Sequence, residues 1–178
     1  MTTAALVAAL DEAAAMAAVL AARAPGAPPD VRAATPEAVH ALLARLLVAA
    51  SGAPEVAAAL RDVPAGRALL RFTDVPLALA FTAGEGRLSA EAADVKGAGP
   101  KVDASAATWL GLIGGTLKPW LAFTRGLVVC RAGLGELRWL QLVAERLQRA
   151  YADARSGSAA KNESTSPERG TGRSPGLD

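Results

Sequence analysis

The spacing of apolar residues is helical before about residue 65 and strand-like after it. From 36 to 51 the apolar residues fall three and four positions apart, which predicts an amphipathic helix. Thr35 is a good N-cap for this helix, Pro36 suits its first turn, and Gly52 ends it. A shorter helix then begins at Pro54. The apolar positions of the longer helix are Val39, Leu42, Leu43, Leu46, Leu47 and Ala50.

Between residues 67 and 92 apolar and polar residues alternate, which is the period of a strand with one packed face. Three runs are separated by a turn at Asp74 and Pro76 and by a second turn at 83–86. Connections this short predict an antiparallel meander. The large residues of its packed face are Leu70, Phe72, Leu77, Leu79 and Phe81.

The second half of the chain predicts two more strands, a helix that breaks at Gly114-Gly115 and restarts at Pro119, and a final helix. Lys101 to Ala104 form a brief fourth strand, and Ser105 caps the helix that follows. Residues 127–131 are apolar at consecutive positions, so we expect this fifth strand to be central or covered on both faces. After Gly133 a final helix carries one apolar stripe. This order predicts an α+β fold, with a five-stranded antiparallel or mixed sheet covered by helices.

Changes in composition divide the chain into four segments. Residues 1–24 are Ala-rich and predict a helix with a thin apolar stripe, and residues 25–34 contain the Pro and Gly of a linker. The core domain extends from 35 to 153. From 154 to 178 Ser, Gly, Pro, Arg and Glu prevail without apolar periodicity, so we expect a disordered tail.

Composition narrows the classes of function. Hydrophobic residues make up 52% of the 178 residues, but Ala dominates them and aromatic residues are only 4%. A net charge of +2 and dispersed basic residues argue against nucleic acid as a partner. The apolar run from Ala4 to Ala22 contains Asp11 and Glu12 and follows no basic residue, so it fits neither a signal peptide nor a membrane span. We therefore expect a cytoplasmic protein without a transmembrane segment.

Few side chains suited to catalysis or metal binding are present. His40 is the only histidine, and its place beside an apolar stripe favours a packed or solvated role over that of a general base. Cys130 is the only cysteine and is predicted as a small buried hydrophobe in the fifth strand. Asp94 and Asp103 are predicted as turn residues at strand ends. We expect no enzymatic activity, no metal and no cofactor.

Large apolar residues gather instead in the helix after Ser105 and in the segment that follows it. The third strand offers them only Leu88, Ala90 and Ala92, which are together smaller by several methylenes than the residues of the other two strands. The residues alone leave two outcomes open: a void that accepts an apolar ligand, or a closer approach of the helix that leaves no cavity. Trp139 and Leu142 lie off the stripe of the final helix, where they widen its buried face, line a cavity mouth or contact a partner.

The motifs of the second half resemble those of the sterol-carrier-protein (type 2) family. Residues 102–105 and the Trp109-Leu110-Gly111-Leu112-Ile113-Gly114-Gly115 segment are similar to the family's strand and the cavity-lining helix after it. Residues 118–123, followed by 125–129, are similar to its proline, aromatic pair, glycine and last strand. Gly133 stands where the family commonly has a glycine before its closing helix.

The resemblance covers residues 36–152, and it includes differences. The meander at 66–81 is similar to bacterial members that are accessory factors in ubiquinone biosynthesis. Leu127 stands where the family often has a lysine, and Ala132 where a second glycine is usual. The Ala-rich first segment has no counterpart in the minimal domain.

The resemblance implies non-catalytic binding of a sterol, fatty acyl or polyprenyl lipid in an internal hydrophobic cavity between the helix Ser105–Leu117 and the sheet. The alternative is an accessory or scaffold protein of a biosynthetic assembly such as that of ubiquinone, acting through protein contacts of the N-terminal helix and Trp139. Transient contact with a membrane surface is compatible with a lipid ligand. The residues expected to bind the lipid are Trp109, Leu112, Ile113, Leu117, Trp120, Leu121, Phe123, Phe72, Leu79 and Phe81.

Overall fold

The helices and strands follow the predicted order. The computed structural model describes residues 3–21, 35–74, 76–113 and 115–163, so the predicted linker at 25–34 lies outside the described residues. The helices are α1 (Thr3–Ala21), α2 (Pro36–Ser51), α3 (Pro54–Ala59), α4 (Ala106–Ile113), α5 (Pro119–Thr124) and α6 (Leu134–Glu163). The strands are β1 (Gly66–Phe72), β2 (Ala78–Gly84), β3 (Arg87–Ala92), β4 (Lys101–Ala104) and β5 (Val128–Arg131).

The five strands form one mixed sheet in the order β3-β2-β1-β4-β5. The first three make the predicted antiparallel meander, with Leu70 opposite Leu79 and Phe81 opposite Ala90. β4 runs parallel to β1 and places Val102 beside Leu70, and β5 returns antiparallel to β4. The α+β class and the five-stranded mixed sheet are therefore confirmed.

One face of the sheet packs against the helices. Leu79 and Phe81 of the predicted packed face are buried, and they share one apolar cluster with Leu42 and Leu46 of α2. The N-terminus of α2 is capped as predicted, because Thr35 Oγ1 accepts a hydrogen bond from the backbone N–H of residue 38 at 3.2 Å. The core thus lies between the meander and the helical layer.

α1 belongs to this core, although its sequence predicts a helical segment separate from the domain. Leu6, Leu10 and Ala13 are fully buried in the same apolar cluster. An exposed ion pair adds a polar link, in which Arg45 Nη2 of α2 donates to Glu12 Oε1 at 2.8 Å. The stripe of α1 is thin, but its alanines let the helix lie close to α2, α4 and α6.

The last helix is longer than the sequence predicts. We expected the domain to end at residue 153 and a disordered tail to follow, but α6 continues to Glu163. Contacts with α1 explain the difference, because Ala154 is buried in the core and Arg155 Nη2 donates to the carbonyl oxygen of Leu10 at 3.2 Å. Periodicity within residues 154–163 could not reveal these tertiary contacts. Residues 164–178 lie outside the described ranges.

β5 lies at an edge of the sheet, so the prediction of a central or doubly covered strand is wrong. Val128 and Cys130 pack against the core, whereas Val129 on the opposite face is 49% exposed. Consecutive apolar residues suggested cover on both faces. Here they reflect one packed face and one open apolar face.

Candidate ligand-binding site

Four of the ten predicted lipid-binding residues are buried in the core. Phe72, Leu79, Phe81 and Trp109 are all buried. The indole of Trp109 is fixed by a hydrogen bond from Nε1 to the carbonyl oxygen of Arg71 at 3.2 Å. These side chains connect α4 to the sheet where the cavity was expected. That cavity stays a prediction, and the two concavities described below lie elsewhere.

The other six predicted residues lie on the side of the protein where α4 leads into α5. Leu112 and Ile113 end α4 half-buried, and Leu117 and Leu121 are also half-buried. The two aromatic side chains of α5 are mostly exposed, Trp120 by 63% and Phe123 by 53%. The structure therefore divides the predicted set into a buried group and a group open to solvent.

Local geometry explains why α5 presents its aromatic residues outward. The backbone N–H of Leu117 donates to the carbonyl oxygen of Gly111 at 2.8 Å, which closes a tight turn after α4. A Cβ at Gly111 would lie 3.1 Å from the Leu117 Cβ, so this close approach favours glycine. Pro119 then begins α5 with Ala122 on the buried side, which leaves Trp120 and Phe123 on the open side.

Exposed apolar side chains are concentrated in this region. Of the seven large apolar residues that are exposed in the described part of the chain, five lie within residues 120–134. We call these five the apolar corner: Trp120, Phe123, Leu127, Val129 and Leu134. They belong to α5, the turn after it, the edge strand β5 and the start of α6. An apolar surface of this kind is typical of contact with a ligand, a partner or a membrane.

A first concavity is an open groove of about 520 Å³ beside the start of β1. Trp139 forms one wall, and its Nε1 donates to the carbonyl oxygen of Pro64 at 2.9 Å. The ring needs the space left by Gly66, where a Cβ would come within 2.3 Å of it. Trp139 also packs near Phe81 with ring centroids 6.3 Å apart. Of the three roles left open for Trp139 and Leu142, both widening the buried face of α6 and lining a concavity agree with this geometry.

A second concavity, which we call the Lys118 pocket, has a volume of about 250 Å³ and lies between α6 and the α4–α5 connection. Ile113 is the one predicted lipid-binding residue that lines it. Gln148 Nε2 donates to the carbonyl oxygen of Leu112 at 3.3 Å, which joins α6 to the end of α4. The lining residues are Ile113, Gly115, Lys118, Gln148, Tyr151, Ala152 and Arg155.

An ion-pair network on the outer face of the sheet was missed by the sequence prediction. Asp94 does form a turn, but Asp103 lies within β4 rather than in a turn. Arg71 Nε and Nη2 each donate to the Asp103 carboxylate at 2.6 Å, and Arg131 Nε lies 3.5 Å from it. The Arg71 guanidinium lowers the pKa of Asp103 through these hydrogen bonds, against the opposing effect of burial. Parallel pairing of β1 with β4, which creates this contact, could not be inferred from the alternation.

His40 and Cys130 are the described side chains best suited to act as an acid, a base or a nucleophile, and both are half-buried. His40 is half-buried, and its ring meets that of Phe72 edge to face at 5.2 Å. Cys130 is half-buried rather than buried, and desolvation raises the pKa of its thiol. Within the described ranges, no three His, Cys, Asp or Glu side chains gather closely enough to hold a metal ion. None of the described helices is both long and apolar enough to cross a membrane.

Comparison with known proteins finds solved structures of similar fold. No family model and no curated protein sequence matches the chain. Eighteen chains of solved structures match. One is described as a UbiJ-SCP2 ubiquinone synthesis protein, with 13% identity, a TM-score of 0.46 and coverage of 69% of this chain and 96% of that chain. Another is sterol carrier protein 2, with 21% identity, a TM-score of 0.43 and coverage of 53% and 81%.

A third similar structure is the sec-alkylsulfatase Pisa1 from Pseudomonas sp. It shares 16% identity at a TM-score of 0.46, and the match covers 67% of this chain but 18% of that enzyme. The first two structures carry the name of the family that the motifs of residues 36–152 resemble.

Proposed function

We propose that this protein binds a hydrophobic ligand of the lipid class, such as a sterol, fatty acyl chain or polyprenyl lipid, without catalysing a reaction. The observation that carries the proposal is the apolar corner, which gathers five of the seven exposed large apolar side chains of the described residues. Half-buried apolar residues lie behind it in the preceding segment. The proposed contacts are Leu112, Ile113, Leu117, Trp120, Leu121 and Phe123.

The free energy available at this surface is sufficient for binding. Full burial of a large apolar side chain contributes about 1.5–3 kcal/mol, and more than half of Trp120 and of Phe123 is still exposed. Each methylene of the ligand that leaves water adds about 0.8 kcal/mol. A long acyl or prenyl chain on the apolar corner therefore reaches useful affinity with few polar anchors.

The side chains around the apolar corner support binding rather than chemistry. The thiol of Cys130 has a raised pKa and is therefore a poor nucleophile at neutral pH. His40 is on α2 with its ring against Phe72, where it serves packing. The exposed polar residues that flank α5 are Lys118 and Arg125, which are suited to brief contact with an anionic membrane surface from which a lipid is taken.

Lipid binding is tested on the full chain purified without detergent. Native mass spectrometry and solvent extraction report any lipid that co-purifies, and a fluorescently labelled fatty acid reports binding to the stripped protein. The double variant Trp120→Ser, Phe123→Ser should bind the labelled fatty acid with an affinity lower by tenfold or more, because two apolar contacts are lost.

Val48→Ser is the control, because Val48 is 49% exposed on α2, away from the apolar corner. It should bind the labelled fatty acid as the wild type does. Equal affinity of the double variant and the wild type, or a wild type that neither retains lipid nor binds the probe, contradicts the proposal.

An accessory role in a biosynthetic assembly such as that of ubiquinone is the second candidate, and the open edge of β5 favours it. Val129 is 49% exposed on this four-residue strand, and an edge strand offers unpaired backbone groups to a partner strand. Val129→Ser should then weaken co-elution with a partner protein in size-exclusion chromatography, because it removes the apolar side chain beside the paired backbone, whereas Val48→Ser should not. Loss of lipid binding with intact co-elution would assign the strand to the ligand instead.

A further inference from the structure

The Lys118 pocket gathers hydrogen-bond donors and positive charge beside the apolar corner. Its polar side chains are the Lys118 ammonium, the Arg155 guanidinium, the Gln148 amide and the Tyr151 phenol. No aspartate or glutamate is among the described residues that line it. From this arrangement we infer that the pocket binds the anionic head group, a carboxylate or phosphate, of the lipid whose tail lies on the apolar corner. The inference rests on the proposed function.

The cation at the inner side of the pocket is held in place. Arg155 Nη2 donates to the carbonyl oxygen of Leu10, and Arg155 Nε lies 3.8 Å from a carboxylate oxygen of Asp11 on the exposed surface of α1. Its Nη1 lies 3.8 Å from the position that a Cβ would take at Gly115 in the pocket wall. A guanidinium oriented in this way is suited to carboxylate and phosphate oxygens.

The remaining groups also favour an anion. The Tyr151 side chain is buried, and desolvation raises the pKa of its phenol, so the hydroxyl keeps its proton and remains a donor. Lys118 also lines the pocket, is exposed, and adds a second positive charge. The two cations therefore come from separate elements, the start of α5 and the last third of α6.

The position of the pocket favours a head group attached to a tail. Its volume of about 250 Å³ is below the roughly 300–1,000 Å³ typical of sites that enclose a whole small ligand, so it suits a small anionic group rather than a whole lipid. Ile113 and Ala152 supply apolar wall beside the polar groups. Trp120 follows Lys118 by two residues, so a chain leaving the pocket along α5 reaches the apolar corner.

The experiment compares two ligands that share a tail. Oleate carries a carboxylate and oleyl alcohol an uncharged hydroxyl, and their affinities for the stripped full chain are measured by displacement of a fluorescent lipid. Wild type should prefer oleate by about tenfold or more, the effect of one charge-assisted contact. Lys118→Gln should remove most of that preference while leaving oleyl alcohol binding unchanged. Lys96→Gln, at an exposed lysine in the turn before β4, should behave as wild type.

Inorganic phosphate provides a further arm of the test. Phosphate that competes with oleate but not with oleyl alcohol supports the head-group site. Phosphate binding without any preference for oleate over oleyl alcohol assigns the pocket to a free anion and overturns the inference. Equal affinity for the two lipids in wild type, or an equal loss of both in Lys118→Gln, also overturns it, yet leaves the proposed function standing. Failure to bind either lipid overturns both.

Discussion

Replacement of Leu10 by alanine measures how firmly α1 belongs to the core. Leu10 is fully buried in the cluster that also contains Leu6 and Ala13. The substitution removes three carbon groups, which at about 0.8 kcal/mol each lowers the free energy of unfolding by about 2.4 kcal/mol. The cavity left behind adds to this loss, because its surroundings close only in part. We therefore expect a total destabilisation of about 3–4 kcal/mol.

Urea denaturation followed by circular dichroism gives the free energy of unfolding, and a thermal scan should show a melting temperature lower by about 6–16 °C. Leu134→Ala is the matched control, because Leu134 is 70% exposed at the start of α6. It should change the free energy by less than about 0.5 kcal/mol. If the two variants lose the same small amount, α1 contributes little to the core and its burial is not part of the stable fold.

Two further perturbations concern the Trp139 groove and the outer face of the sheet. Gly66→Ala should lower the free energy of unfolding by about 1–3 kcal/mol, because its Cβ meets the Trp139 ring. Gly157→Ala has open space in α6 and should raise the free energy of unfolding by about 0.5–1 kcal/mol. Urea denaturation measures both changes. Asp103→Asn should cost about 1–3 kcal/mol near pH 7, because it breaks the bidentate pair with Arg71. The folded-state pKa of Asp103 is lowered, so the wild type keeps this contribution above the ordinary carboxyl value of 3.8 and loses it as the pH falls further. Denaturation curves should therefore show a steady gap between wild type and variant above about pH 4 that narrows as the pH falls below the ordinary carboxyl value of 3.8, and a gap that stays constant there contradicts the assignment.

The meander was predictable because apolar and polar residues alternate along each strand, and this alternation shows which face is buried. Leu70, Leu79 and Phe81 fall on alternate positions, and short turns fix their antiparallel pairing. The same local logic located Thr35 as a cap and Pro119 as a helix start. These features depend on residues close together in the sequence, so periodicity and capping rules were enough to predict them.

Features that depend on distant residues were not predictable in the same way. The pairing of Arg71 with Asp103 needs β4 to lie beside β1, and α6 extends through residue 163 because Ala154 and Arg155 meet α1. Likewise, the ten predicted lipid-binding residues share apolar character, but their sequence does not say which are covered. Packing decides that Phe72 belongs to the core and Trp120 to the surface.

The placement of α1 explains why the open apolar surface lies where it does. α1 packs on α2, α4 and α6, so its leucines cover the apolar sides that these helices would otherwise expose. α5 and β5 lie beyond this cover and contact chiefly each other, α4 and β4. Arg155 connects the two regions, because it is anchored to α1 through Leu10 and also lines the Lys118 pocket. The head group of a ligand on the apolar corner would therefore lie beside Arg155, whose position depends on α1. The affinity for an anionic lipid should then depend on how firmly α1 packs on the core, although the lipid tail lies on other elements.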